Sequence, residues 1–132
     1  MNTEIAVQSR QAQEFVEITD AVADRVREAG ILDGQCMVYC PHTTAGLTIN
    51  ENADSDVCRD MIHALDKLVP LRDPAYRHNE GNSAAHVKAS LMGASVIVPI
   101  ADGRLYLGRW QGIYLCEFDG PRTRHISVTV RA

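Results

Sequence analysis

The chain's pattern predicts an α+β fold: mainly antiparallel strands with two to three helices set apart from them. Three observations carry this. Strand-like and helix-like segments come in blocks instead of alternating, the last third reads as strands separated by Asp-Gly turns, and the GxGxxG and GxxxxGK[ST] phosphate loops of doubly wound folds are missing. No repeat, low-complexity tract or linker interrupts residues 1–132, so one domain is expected.

Ile5–Val7 and Glu14–Ile18 read as the first two strands, the second alternating in period two. Thr19 or Asp20 is the expected cap of a helix with Val22, Val26 and Ala29 on its apolar face and Gly30 as its stop. Gln35–Cys40 and Ala45–Asn50 are strand-like, joined by the polar Pro41-His42-Thr43-Thr44 segment. From Ser55 or Asp56 to Leu68, the apolar residues Val57, Met61, Leu65 and Leu68 recur at helical spacing, and Pro70 closes the run. Arg72–Asn82 reads as a loop and Ser83–Met92 as a short helix stopped by Gly93. Ser95–Ile100, Arg104–Leu107, Ile113–Phe118 and His125–Val130 then read as an antiparallel meander with turns at 101–103 and 119–121.

Composition excludes several classes. A net charge of −4 without any basic run argues against a nucleic-acid partner. The acidic residues crowd into the first 60 positions, with 11 acidic against 4 basic side chains, while the remainder carries 6 against 9, compatible with a small anionic ligand or a solvated surface. The longest apolar run, 96–101, is broken by Pro99 and falls far short of the ~18 residues of a membrane span. No basic-then-apolar leader opens the chain, so a cytoplasmic address without membrane contact is expected. Cys36, Cys40, Cys58 and Cys116 form no CxxC pair and read as buried thiols. A folded monomer of 14.5 kDa should expose roughly 6,900 Å².

No nucleophile elbow, HExxH or protease cysteine is present. The chemistry-bearing text is a polar constellation. His42 at a strand end, His78 in a loop and His86 in a helix's first turn can converge on an open divalent-metal site, or be three unrelated hydrogen-bonded imidazoles. Glu51 and Asn52 precede a helix, where acids and amides cap, and Glu51 is equally a candidate general acid/base or metal-associated carboxylate. Gly81-Asn82-Ser83 opens a helix whose free N–H groups suit a phosphate, with Lys88 as a further cation. Trp110, between Gly108 and Gly112, reads as packing or ligand contact, and Gln111 as a ligand clamp.

Together these blocks resemble the YjbQ-like family, described as secondary thiamine-phosphate synthases. The stretch from His42 to Asn52 is similar to the family's HTTAxLTINEN block, Arg77–Asn82 with His86 and Lys88 to its second block, and Gly103–Gly112 to its GxxxxGxWQGI signature. Arg109 departs from the family's Thr before Trp-Gln, and Ser83-Ala84-Ala85 stand where some relatives carry acids. The resemblance implies a large curved antiparallel sheet, a homotrimer, and a reaction joining a pyrimidine diphosphate to a thiazole phosphate. For an enzyme of that type, the expected roles in this chain are that His42, His78 and His86 hold a divalent metal, zinc or magnesium, or the leaving phosphates, that Glu51, His86 and Lys88 act in catalysis, and that Thr43, Thr44, Asn52, Asn82, Trp110 and Gln111 bind substrate. Two other readings use the same residues: a non-catalytic module for a small phosphorylated metabolite or metal, and a metal-dependent enzyme for another small substrate.

Overall fold

The structure is a computed structural model describing residues 1–132. Its elements, in order, are β1 (Asn2–Gln8), β2 (Glu14–Glu17), α1 (Thr19–Ala29), β3 (Gly34–Tyr39), β4 (Ala45–Glu51), α2 (Ser55–Leu68), α3 (Ser83–Met92), β5 (Ser95–Ala101), β6 (Arg104–Leu105), β7 (Gln111–Glu117) and β8 (Thr123–Arg131). Every strand pairing is antiparallel, and the strands curl into a half-barrel. They divide into a five-stranded sheet, β1-β8-β3-β5-β6, and a three-stranded sheet, β2-β7-β4. The α+β expectation holds, with three helices.

The core is where the two sheets face each other. In β8, Arg124, Ile126, Val128 and Val130 alternate inward while His125, Ser127 and Thr129 point away. Val38, Leu47, Val98, Ile113 and Leu115 meet them from β3, β4, β5 and β7, and α1 closes the core with Val22 and Val26. A second cluster of Ala85, Ala89, Tyr114, Cys116 and Phe118 lies between α3 and the opposite face of β7.

The meander expectation is corrected. Only β5 and β6 are sequential partners, through a turn with Asp102 at φ 53° and Gly103 at φ 75° that matches a two-residue hairpin. Strand β7 crosses to the other sheet and β8 returns between β1 and β3. The reason is burial: every residue of β7 after Gln111 is buried, so this strand requires neighbours on both edges and layers on both faces.

The expected side-chain cap of α1 is corrected as well. The N-cap is Ile18, without a capping hydrogen bond. The Thr19 hydroxyl is engaged elsewhere, accepting from the Ile113 N–H at 2.9 Å and donating to Glu17 Oε2 at 2.8 Å, which ties α1 to the three-stranded sheet. Asp54 caps α2, its carboxylate accepting the Asp56 N–H at 2.9 Å. None of the three helices is long and apolar enough to cross a membrane.

Candidate functional site

Gly46 decides how the first part of the site assembles. A Cβ there would lie 2.9 Å from the Gly93 carbonyl oxygen and 3.0 Å from Met92 Cβ, so α3 reaches β4 only because the side chain is absent. This close packing carries His86 to the entrance of β4, beside the Pro41–Thr44 segment. The loop ending at Asn82 is pinned by Asn82 Nδ2 donating to Asp119 Oδ2 at 2.9 Å, and it delivers His78 to the same place. The His78 and His86 rings stand nearly perpendicular, with centroids 5.3 Å apart.

The result is a cleft of about 390 Å³ lined by all three expected histidines, His42, His78 and His86, with Thr43, Thr44 and Asn82. It also takes in Arg122, Arg124, Asp119 and Glu80; apart from Pro41, no lining side chain is apolar.

Behind the cleft lies a buried ion pair. Glu117 is fully buried and Arg124 nearly so. Glu117 Oε1 accepts from the Ser9 hydroxyl at 2.7 Å and from Arg124 Nε at 2.9 Å, Oε2 accepts from Arg124 Nη2, and the Asp119 N–H donates to Oε2 at 3.0 Å. Burial pushes the Glu117 carboxyl upward, but the hydrogen bonds from Arg124, Ser9 and the Asp119 N–H outweigh it and hold it below its usual range. Arg124 Nη2 also reaches Thr44 Oγ1 at 2.8 Å. Thr44 is thus a buried support of the arginine as well as part of the lining, which Thr43 also joins.

His42 is fixed from its far side, where Nε2 accepts the His125 N–H at 2.9 Å. Burial, and then the nearby Arg124 guanidinium, lower its pKa and favour the neutral ring. Burial also raises the thiols, Cys36 to about 11 and Cys40 and Cys116 upward, so none of these supplies a thiolate nucleophile at neutral pH.

The remaining expected site residues gather elsewhere. Glu51 and Gln111 are cross-strand partners at the other end of β4, and the Asn52 N–H donates to the Trp110 carbonyl at 2.9 Å. The length of β4 puts this corner roughly 20 Å from the cleft within one chain. Gln111 is no free clamp: its Oε1 accepts the Gly108 N–H at 2.8 Å and closes the turn before β7. Asn52 Nδ2 donates to Glu17 Oε2 at 3.0 Å, while Trp110 is 55% exposed with the Arg109 guanidinium 4.9 Å from its ring centroid.

Lys88 joins neither group. Only 3% of its side chain is exposed, and Nζ lies 2.5 Å from Asp66 Oδ1 and 2.8 Å from Gln13 Oε1, 5.9 Å from the centre of the Phe118 ring. It anchors α2 to α3. The sequence reading missed this because a helical repeat gives the face of Lys88 but not the acid waiting there.

Within one chain the three imidazoles line the cleft without being drawn together into a ligand cluster. No three His, Cys, Asp or Glu side chains are placed to hold an ion together, and Nε2 of His42 is already engaged.

The residues missing from the sequence reading are Arg124, Arg122, Asp119 and the supporting Glu117. One signal was present for Arg124, which stands in phase with Ile126, Val128 and Val130 on the inward face of β8.

The family model described as "UPF0047 protein YjbQ-like" matches residues 3–132. The chain is 52% identical to the UPF0047 protein YugU of Bacillus subtilis over 120 residues, covering 91% of each chain. It is 42% identical to a UPF0047 protein of Archaeoglobus fulgidus over 127 residues, covering 95% of this chain and 97% of that one. Among solved structures, a YjbQ/UPF0047-family protein of Clostridium acetobutylicum superposes with TM-score 0.95 at 51% identity over 98% of this chain and 99% of that one. A YbjQ-like protein of Sulfolobus solfataricus gives TM-score 0.93 at 33% identity over 98% and 95%. Three independent features therefore agree, namely the block order in the sequence, the family match across residues 3–132 and the shared fold: the chain belongs to the UPF0047 YjbQ-like family.

Proposed function

We propose that the chain is a thiamine-phosphate synthase-like enzyme that joins a pyrimidine diphosphate to a thiazole phosphate as a secondary activity, working as a cyclic homotrimer. The observation that carries this reading is the cleft, whose lining is rich in hydrogen-bond donors and, Pro41 aside, lacks apolar side chains. A site of that kind suits phosphate groups better than an apolar ring.

The reaction asks little covalent help of the protein. The thiazole nitrogen attacks the pyrimidine methylene carbon, the C–N bond forms, and the C–O bond to pyrophosphate breaks with its electron pair leaving on oxygen. Guanidinium and imidazole N–H groups around the cleft stabilise that developing charge. The flat, exposed Trp110 ring offers a stacking surface, and the Glu51 carboxylate orients the ring substrate or accepts a proton. Because cleft and corner lie roughly 20 Å apart within one chain, the reading joins them across the boundary between two copies.

Surface area supports association. The chain exposes 7808 Å², about 900 Å² more than a monomer of its mass should, and one partner in a standard interface contributes about 800 Å². Met37 and Ile97, register partners on the outer face of the five-stranded sheet, are exposed together beside Tyr39.

The test is pyrophosphate release from the two substrates. Wild-type protein should turn over, and the folded His86→Ala/Glu51→Gln double variant should lose at least tenfold; full activity in that variant would refute these roles. A second reading, a binding module for a phosphorylated metabolite, is favoured by the commitment of Lys88 and Gln111 to structural contacts. Stoichiometric ligand binding without product would establish it.

A further inference from the structure

Arg124 is the cation that the fold holds most firmly in the cleft. Its Nε donates to Glu117, and Nη2 is shared between Glu117 and Thr44. Nη1 makes no hydrogen bond within the chain, yet the fully buried side-chain atoms without a partner are Thr3 Oγ1 and Asn82 Oδ1 alone. Nη1 is therefore not fully sealed, although only 3% of the Arg124 side chain is exposed, and the open space that Arg124 lines is the cleft.

His42 is prepared in a parallel way. Its Nε2 lone pair is taken by the His125 N–H, so in the neutral ring the proton sits on Nδ1 and the imidazole brings a donor to the cleft. The acidic residues nearby do not cancel this donor set. Asp119 Oδ2 is engaged by Asn82 at 2.9 Å and Arg122 at 3.2 Å, Glu80 points largely to solvent, and the charge of Glu117 lies behind the guanidinium.

We propose that the cleft is an oxyanion site for phosphate or pyrophosphate, gripped by Arg124 Nη1 with His42 Nδ1–H beside it, the rest of each side chain being fixed in advance by buried partners. This rests on the reading of a phosphorylated ligand and specifies what holds its phosphate. It assigns His42 the role of donor in place of metal ligand. The fixed guanidinium fork pays little ordering entropy on binding, which is the advantage of arginine over lysine at such a site.

The experiment titrates the full chain with inorganic pyrophosphate, without added metal, following the heat of binding and the ¹⁵N resonances of the Arg124 guanidinium. Saturable binding that shifts the Arg124 resonance is expected in the wild type and in a His63→Ala control on the exposed face of α2. Removing Arg124 alone would strand a buried carboxylate, so the variant is Glu117→Gln/Arg124→Met, checked for native circular dichroism. It should bind at least tenfold more weakly. Arg124→Lys, which keeps the charge but loses the fork, should also weaken binding tenfold and covers the case in which the double variant does not fold. Absence of wild-type binding, an unmoved Arg124 resonance, or wild-type affinity in a folded Arg124 variant would each overturn the proposal. Turnover is measured in parallel: pyrophosphate binding through Arg124 without product leaves the oxyanion site standing while removing the transferase reading, and turnover without such binding does the reverse.

Discussion

A carboxylate taken out of water costs several kcal/mol unless charge and hydrogen bonds replace what it loses. Glu117 has both, from Arg124, Ser9 and the Asp119 N–H. Glu117→Ala would leave Arg124 buried without its partner, and we expect it to destabilise the fold by about 3–5 kcal/mol in denaturant titration. Replacing both residues, as in Glu117→Gln/Arg124→Met, should cost much less. The pH dependence follows from the same neighbourhood. The pKa of His42 is lowered on folding, so the unfolded chain binds its proton more readily than the native one. Stability is then full above the unfolded value of about 6.5 and falls as pH drops from there toward the folded value. Glu117, also lowered, adds a second loss that begins only below about pH 4.3. Thermal melts of wild type and His42→Asn between pH 8 and pH 5 should converge as pH falls; parallel curves would show that His42 is not the source of the first loss.

At the scale of elements, the site depends on how closely α3 lies on β4. Gly46→Ala sets a Cβ 2.9 Å from the backbone of Gly93, which cannot yield as a flexible side chain would, so the helix must move. Overpacking of this kind costs about 1–3 kcal/mol, and displacement of His86 should appear as weaker ligand binding than stability alone explains. Lys88 acts on α2, which has no buried residue of its own. Lys88→Met removes the bond to Asp66, and hydrogen exchange of α2 amides should quicken while those of β7 and β8 stay protected. The helices were legible because their apolar spacing and the stops at Gly30 and Gly93 are local signals. The meander was misread because local turns do not reveal that β7, buried on both sides, must sit at the centre of another sheet. The histidine grouping was legible from three imidazoles at element ends in polar, glycine-containing text, whereas Arg124 and Glu117 acquire meaning only when two inward-facing polar residues from β7 and β8 meet.

For the whole molecule, the proposed function requires that copies associate. The excess of roughly 900 Å² over the surface expected for its mass argues for association, and the family resemblance supplies the number three, so light scattering at micromolar concentration is expected to give about three times 14.5 kDa. Dimers would keep the interface argument but discard threefold closure, and monomers would discard both. Separation of the cleft from the Glu51–Trp110 corner allows a more direct test, because a site shared between copies can be repaired by mixing. His42→Ala and Glu51→Gln proteins should each be inactive alone. Co-assembled in equal amounts by random mixing, a quarter of the composite sites combine an intact cleft with an intact corner, so pyrophosphate release should recover to about a quarter of the wild-type rate. Mixed trimers verified by mass spectrometry that release no pyrophosphate would contradict the shared site.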